Sequence, residues 1–351
     1  MHEHGLPESF SRSTQYRARK KLCGMECNSG PQVLKEKIAL SGGKEHTIAF
    51  QNPFAFIHYH GGKSKDYAMI MRAAIARKPP SHSDPWRLII YQDGVNPSDG
   101  LAKNLSRKSC VFYWAFAELG AHALCHEEVW GISTLVRNTI CKEMPGNIGD
   151  LANKVLQTFF NPEHDMRTSG VTFTLMPTAN GETLEVARLF TKICIVVADE
   201  PALKEIFDCK GHAGHICCLL CANATLHKAP GGGIPFHIQY PAFCKSIALN
   251  RKLSDFKLHD NQSMRESLRK VNNAHDDWIA GLINKNEFEH TSQIVGYNWS
   301  PNNILLNERF NVLAADSVMF DWSHVFICDG VADVEFGSCM SALRSATATS
   351  T

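Results

Sequence analysis

Two aspartates stand at the ends of the two most strand-like segments of the sequence. Asp93 follows the apolar run at 86–91, and Asp199 comes directly after the run at 193–198. If the two strands are parallel neighbours, both carboxylates lie at one edge of a sheet. Paired carboxylates repel one another unless a divalent cation neutralises them, and oxygen ligands suit Mg²⁺ or Mn²⁺. The pair therefore predicts a cation site that could activate water against a phosphodiester.

Each aspartate also has a structural interpretation that needs no metal. Asp93-Gly94 is a dipeptide typical of tight turns. Asp199 precedes Glu200-Pro201, a typical helix start at which the aspartate would cap the first turn. The pattern alone leaves metal binding and these structural roles open.

A second group of candidate ligands begins ten residues beyond Asp199. Cys209 and His212 form a Cys-x-x-His pair, and Cys218 and Cys221 form a Cys-x-x-Cys pair, with five residues between the two pairs. Each short turn can present two ligands on one side, as a tetrahedral Zn²⁺ site requires. These four residues are the predicted zinc ligands. A reduced cysteine patch without metal is the alternative, and three residues could substitute as ligands: Cys217, His215 and His227.

Other common catalytic patterns are missing from the sequence. No cysteine stands in a pattern typical of an activated nucleophile with a fixed histidine. The glycine run at 231–233 lacks the lysine and following helix of a phosphate-binding loop, so we expect a plain loop there.

Basic residues are concentrated near the beginning of the sequence. Residues 1–80 contain 13 Lys and Arg against 6 Asp and Glu, out of chain totals of 36 and 35. The tightest group is Arg17, Arg19, Lys20 and Lys21. Such a basic arm predicts binding to the phosphates of a nucleic acid, with a solvated tail as the alternative.

The composition is typical of a folded protein. Of 351 residues 44% are apolar, which excludes disorder as the main state. Thirteen cysteines, together with a polar start to the sequence, predict a reducing, intracellular setting. The apolar runs are far shorter than the ~20 residues that span a bilayer, so we expect no membrane partner.

The elements that would hold these residues can be predicted from the periodicity of apolar residues. We expect strands at 86–91, 111–116 and 129–136 in a meander, then a helix at 148–159 and a strand at 171–175. A helix at 181–192, a buried strand at 193–198 and a helical stretch at 262–289 follow, whereas 1–50 and 339–351 look poorly ordered. These elements predict an α/β protein.

Four blocks in a fixed order resemble the CACTA and Kyakuja-Dileera-Zisupton cut-and-paste DNA transposases. The blocks are Asp93-Gly94-Val95-Asn96-Pro97, Ala198-Asp199-Glu200-Pro201-Ala202, residues 209–221 with Cys209, His212, Cys218 and Cys221, and Asp321-Trp322-Ser323-His324-Val325. The resemblance implies an RNase H-like mixed sheet flanked by helices. It also implies a protein that acts on DNA in the nucleus. It also implies that Asp93 and Asp199 are two of three acids that hold Mg²⁺ or Mn²⁺, and that Asp321 and His324 match the family's Asp-x-x-His block.

The sequence departs from this family at the third acid. The family has a glutamate well downstream of the Asp-x-x-His block, and neither Asp333 nor Glu335 can be assigned that role. We therefore expect a transposase-derived nuclease domain that is truncated or inactive. The alternative is a zinc-stabilised protein that binds nucleic acid or another partner without chemistry, and whether the chain forms a homo-oligomer is open.

The resemblance also divides the chain into four regions. A basic, partly disordered N-terminal region is expected at 1–80, and the RNase H-like core at 81–209. A Cys/His-rich and helical insertion follows at 210–310, and the C-terminal segment at 311–351 carries the Asp-x-x-His block.

Overall fold

The protein is a mixed α/β protein with a five-stranded mixed sheet flanked by helices, as seen in a computed structural model. The structure describes residues 26–27, 30–96, 108–178, 185–216, 218–223 and 256–321, without the side chains of residues 26, 27 and 212. Within these ranges, no helix has both the length and the apolar character needed to cross a membrane.

The described residues form the following β-strands and α-helices, each numbered in chain order. The strands are β1 (Glu26–Cys27), β2 (Gly30–Pro31), β3 (Val33–Leu40), β4 (Lys44–Gln51), β5 (Trp86–Val95), β6 (Ser109–Phe116), β7 (Gly131–Arg137), β8 (Val171–Leu175), β9 (Glu185–Leu189), β10 (Thr191–Ala198) and β11 (Val318–Phe320). The α-helices are α1 (Pro53–Lys63), α2 (Lys65–Arg77), α3 (Ala121–Leu124), α4 (Asn138–Glu143), α5 (Asn147–Gln157), α6 (Glu200–Ile206), α7 (Asn261–Ile279), α8 (Lys285–Val295) and α9 (Ala314–Ser317). Short 3₁₀ turns lie at Ser41–Gly43, Ala117–Leu119, Glu127–Val129 and Gly211–Ala213.

The main sheet has the strand order β11-β10-β5-β6-β7. Strands β5, β6 and β7 pair antiparallel in succession, so the predicted meander is confirmed. On the other side of β5, strands β10 and β11 both run parallel to it. The late strand therefore lies beside the first strand of the meander, as the argument from the two aspartates requires.

One face of the sheet is buried under helices. In β5 the alternate residues Trp86, Leu88 and Ile90 are nearly inaccessible to solvent, as expected for a strand with one face in the core. The Trp114 ring of β6 lies edge-on to Phe56 of α1, with ring centroids 5.2 Å apart. Such aromatic pairs pack efficiently and fix α1 against the sheet.

The expectation that residues 1–50 are poorly ordered is wrong for residues 33–50. Strands β3 and β4 form a hairpin that turns at Gly42 and Gly43, both with positive φ. Ile48 and Phe50 reach the core, and the Thr134 hydroxyl of β7 donates a hydrogen bond to the carbonyl of Ala49. The charged residues on the outer side of the hairpin concealed this alternation in the sequence.

Two predictions for helices also need correction. The predicted helix at 181–192 is wrong for residues 185–192, because β9 pairs antiparallel with β8 and β10 begins at Thr191. The stretch at 262–289 contains two helices, α7 and α8, separated by a turn in which Gly281 has φ of 75°. In the first segment, pairing with a neighbouring strand outweighs the helical spacing of apolar residues. In the second, the turn residue ends the first helix.

Candidate functional site

Asp93 and Asp199 lie at the same end of neighbouring parallel strands. Tyr91 of β5 is opposite Val197 of β10, so continuing the register by two residues brings Asp93 level with Asp199. The two strands are therefore parallel neighbours, which is the condition under which the sequence predicts that the two carboxylates share one edge of the sheet. However, β5 continues to Val95, and Asp93 pairs with Val111 of β6 inside the strand, so the tight-turn interpretation of Asp93-Gly94 is wrong.

A third aspartate lies at this edge on the far side of β10. Phe320 of β11 is opposite Ala198, and the Asp321 amide donates a 2.9 Å hydrogen bond to the Ala198 carbonyl. Continuing this register by one residue places Asp321 level with Asp199. Three adjacent parallel strands thus bring one aspartate each towards the same edge of the sheet, with Asp93 two residues before the end of β5. In the sequence, Asp321 stands out only as part of a family block, and no pattern predicts this position.

Each of the three carboxylates accepts a hydrogen bond from the protein. Asp93 Oδ1 accepts from its neighbour's amide at Gly94 (2.6 Å), and Asp321 Oδ2 accepts from the Tyr91 hydroxyl (3.1 Å). Asp199 Oδ1 accepts from the Ala202 amide (2.7 Å) and caps α6, which confirms the structural interpretation of this residue. These bonds hold the aspartates in place without a cation.

The electrostatic effects of the aspartates divide them into two groups. Burial raises the pKa of Tyr91, and the charges of Asp93 and Asp321 raise it further. The charge of Asp199 instead raises the pKa of Glu205, which burial has already raised. Among the side chains that the structure describes, no group of three or more His, Cys, Asp or Glu is close enough to hold a metal ion. Asp199 thus lies level with the other two in the backbone register, and its charge affects Glu205.

A cavity of about 110 Å³ opens beside Asp199. Its lining includes Gln92 of β5, Lys142 of α4 and Glu205 of α6, together with Lys108. Lys142 and Lys108 oppose the rise in the pKa of Glu205. The cavity therefore combines acidic and basic groups at the end of the strand that carries Asp199.

The cysteine and histidine segment folds around a buried tyrosine. Cys209 forms an isolated bridge with Tyr297, and the pKa of Tyr297 is raised by burial and then by Cys209 and Cys218. Cys209 and Cys218 therefore lie near the same ring. The backbone of Cys221 bridges Leu258.

His259, which the sequence analysis missed, lies beside this segment. Its amide donates to the Leu220 carbonyl (2.8 Å), its ring is buried, and Nδ1 is 2.9 Å from the Ser263 hydroxyl. Burial lowers its pKa to about 4, so the imidazole is neutral near pH 7. No spacing signal could have revealed it, because it comes long after Cys221 in the sequence. Zinc binding by Cys209, His212, Cys218 and Cys221 stays a prediction.

Several predicted residues lie outside the part of the chain that the structure describes. They are Arg17, Arg19, Lys20, Lys21, Cys217, His227, the glycines at 231–233, His324, Asp333 and Glu335, together with the His212 side chain. Their predicted roles stay predictions.

Comparison with known proteins adds no family to this geometry. No protein-family model matches the chain, and a search of curated proteins finds no match. The resemblance to transposases therefore stays a prediction from the motif blocks in the sequence.

Proposed function

We propose that this chain is a transposase-derived, RNase H-like domain in which Asp93, Asp199 and Asp321 hold divalent cations for the cleavage and strand transfer of DNA. The observation that carries the proposal is the parallel register of β5, β10 and β11, which pairs Tyr91 with Val197 and Ala198 with Phe320 and so brings the three aspartates towards one edge of the sheet. The sheet order supports it, because acids at the ends of the first and last core strands are what the resemblance implies. Asp321 supplies a third carboxylate, for which the sequence offered no candidate.

The spacing of the strands suits a site with two cations. Neighbouring strands lie about 4.8 Å apart, so the backbones at Asp93 and Asp321 are roughly two such spacings apart, with Asp199 between them. Cations in two-metal sites lie about 3.5–4 Å apart, which fits one ion on each side of a central carboxylate. When bound, such ions would activate water or a DNA 3′-hydroxyl and stabilise the leaving oxygen.

The residues of the chain have distinct parts in this proposal. Tyr91 positions Asp321 through its hydroxyl. The cap bond of Asp199 uses Oδ1, and a carboxylate can bind a cation through its other oxygen. Lys108 and Lys142 bring positive charge to the cavity beside Asp199, where they would attract a phosphate of the substrate.

Nicking of supercoiled plasmid DNA by the purified chain tests this function. We expect nicking that requires Mg²⁺ or Mn²⁺ and that is lost in Asp93→Asn and Asp321→Asn. Asp276→Asn is the matched control, because Asp276 lies on the exposed face of α7 with 80% of its side chain accessible. Nicking that survives both substitutions at the sheet edge would refute the proposed site.

A second function is favoured by a specific observation. Among the described side chains no three carboxylates are close enough together to hold a metal ion. Carboxylates that stay apart favour a protein that binds nucleic acid without cleaving it, and the zinc in this alternative is a prediction from the sequence. In that case the purified chain would contain zinc, bind DNA in a salt-dependent manner and leave the plasmid intact.

A further inference from the structure

Two buried cysteines from different elements meet beside the cavity. Cys110 lies in β6 and Cys141 lies in α4, and they are 1% and 2% exposed. Each thiol shifts the pKa of the other, so the two lie close together, and Gln92, which lines the same cavity as Cys141, donates a 3.3 Å hydrogen bond from Nε2 to Cys110 Sγ. Cys141 also lines the 110 Å³ cavity. One thiol of the pair therefore faces a space that a small molecule can enter, and the other lies behind it.

The two thiols change each other's acidity in opposite directions. The neighbouring Cys110 thiol lowers the pKa of Cys141, against the opposing effect of burial. The Cys141 thiol, together with burial, raises the pKa of Cys110. Cys141 is thus the thiol that loses its proton first, and thiolates are the form that attacks oxidants. This asymmetry resembles that between an attacking and a resolving cysteine.

The surroundings of Cys141 also suit a small polar oxidant. The positively charged Lys142, next to it in the chain, lines the same cavity, whereas the charge of Glu205 opposes thiolate formation. A water molecule occupies about 30 Å³ in the liquid, so a cavity of 110 Å³ has room for a molecule of a few heavy atoms. A hydroperoxide meets these conditions of size and polarity.

We propose that Cys141 and Cys110 are a peroxide-oxidisable thiol pair that closes to a disulfide. In the first step the Cys141 thiolate attacks one oxygen of hydrogen peroxide, the O–O bond breaks, and Cys141 sulfenic acid and hydroxide form. In the second step the Cys110 sulfur attacks the Cys141 sulfur, and water leaves with the proton of Cys110. The net reaction converts two thiols and one peroxide into one disulfide and two waters.

This inference does not depend on the proposed nuclease function. It assigns a modification site to a pair of residues that the sequence could not connect, because their spacing matches no redox motif. If the disulfide forms, it links β6 to α4 directly beside Gln92 and the end of β5, on the side of the sheet that faces the cavity.

Thiol mapping of the full-length chain tests the proposal. The reduced protein is treated with hydrogen peroxide, its remaining thiols are blocked with N-ethylmaleimide, and peptides are analysed by mass spectrometry without reduction. We expect a peptide pair joined through Cys110 and Cys141, with one-to-one loss of the two thiols, and its formation should precede oxidation of the exposed Cys125. If Cys125 is oxidised while both Cys110 and Cys141 keep their thiols, the proposal is wrong. This measurement needs no variant.

Two variants and a control define the order of the steps. In Cys110→Ser, Cys141 should stop at the sulfenic acid and be trapped by dimedone. In Cys141→Ser, Cys110 should remain a thiol. Cys125→Ser should leave the 110–141 link unchanged. If Cys141 in the Cys110→Ser variant gives no dimedone adduct and keeps its thiol, Cys141 is not the attacking residue and the proposal is refuted.

Discussion

Asp199 has a structural role and a proposed metal-binding role, and two substitutions separate them. Its Oδ1 accepts the amide of Ala202 at the start of α6. Replacing an N-cap aspartate with alanine costs about 1 kcal/mol, whereas asparagine caps nearly as well as aspartate. We therefore expect Asp199→Ala to lower the free energy of unfolding by about 1 kcal/mol, and Asp199→Asn to lower it by less than about 0.5 kcal/mol.

The two variants should nevertheless behave alike towards a cation. Asparagine keeps the acceptor for the Ala202 amide but lacks the negative charge that a hard divalent ion prefers. Urea unfolding monitored by circular dichroism gives the stability difference, and calorimetric titration with Mg²⁺ gives binding on the same samples. If Asp199→Asn binds Mg²⁺ as the wild-type chain does, Asp199 is a helix cap only. If Asp199→Ala is as stable as the wild-type chain, the cap contributes nothing and the reasoning from hydrogen-bond geometry is wrong.

Three further predictions concern the site and its surroundings. Burial raises the pKa of Asp208 from 3.8 to about 7, so the folded chain binds a proton at this carboxylate more tightly than the unfolded chain. The free energy of unfolding of the wild-type chain should therefore fall from pH 4 to pH 7 relative to that of Asp208→Asn. A stability difference between the two proteins that does not change with pH would contradict this. Tyr91→Phe removes the hydroxyl that positions Asp321. We expect calorimetry to show weaker Mg²⁺ binding and urea unfolding to show a free energy of unfolding that is lower by about 1 kcal/mol. If neither value changes, Tyr91 does not position Asp321. Replacing Cys218 and Cys221 with serine should remove one zinc per chain in metal analysis and lower the unfolding temperature, and a wild-type chain that contains no zinc when purified without chelators would contradict this.

The part of the fold that the sequence could predict is the part with continuous apolar strands. The run at the start of β5 and the run that becomes β10 are rich in apolar residues, so both could be predicted as strands, whereas their parallel pairing became known only from the structure. The helix cap at Asp199 was one of two interpretations of this residue. It could be predicted because Asp-Glu-Pro is a local signal for a helix start and needs no tertiary contact.

The remaining features depend on contacts between distant segments. Strand β11 has only three residues, too few for a periodic pattern, so nothing local indicated that Asp321 lies beside Asp199. Cys110 and Cys141 meet only because α4 packs next to β6. The hairpin of β3 and β4 has one buried side among charged residues, which weakens its signal in a single sequence.

The measurement that tests the three-aspartate site most directly is a calorimetric Mg²⁺ titration of the wild-type chain and of Asp93→Asn, Asp199→Asn and Asp321→Asn, with Asp276→Asn as control. The alignment of β5, β10 and β11 predicts saturable binding in the wild-type chain and the control, and a loss of binding in each of the three variants. Binding that is equal in all five proteins, or missing from the wild-type chain, would contradict the site.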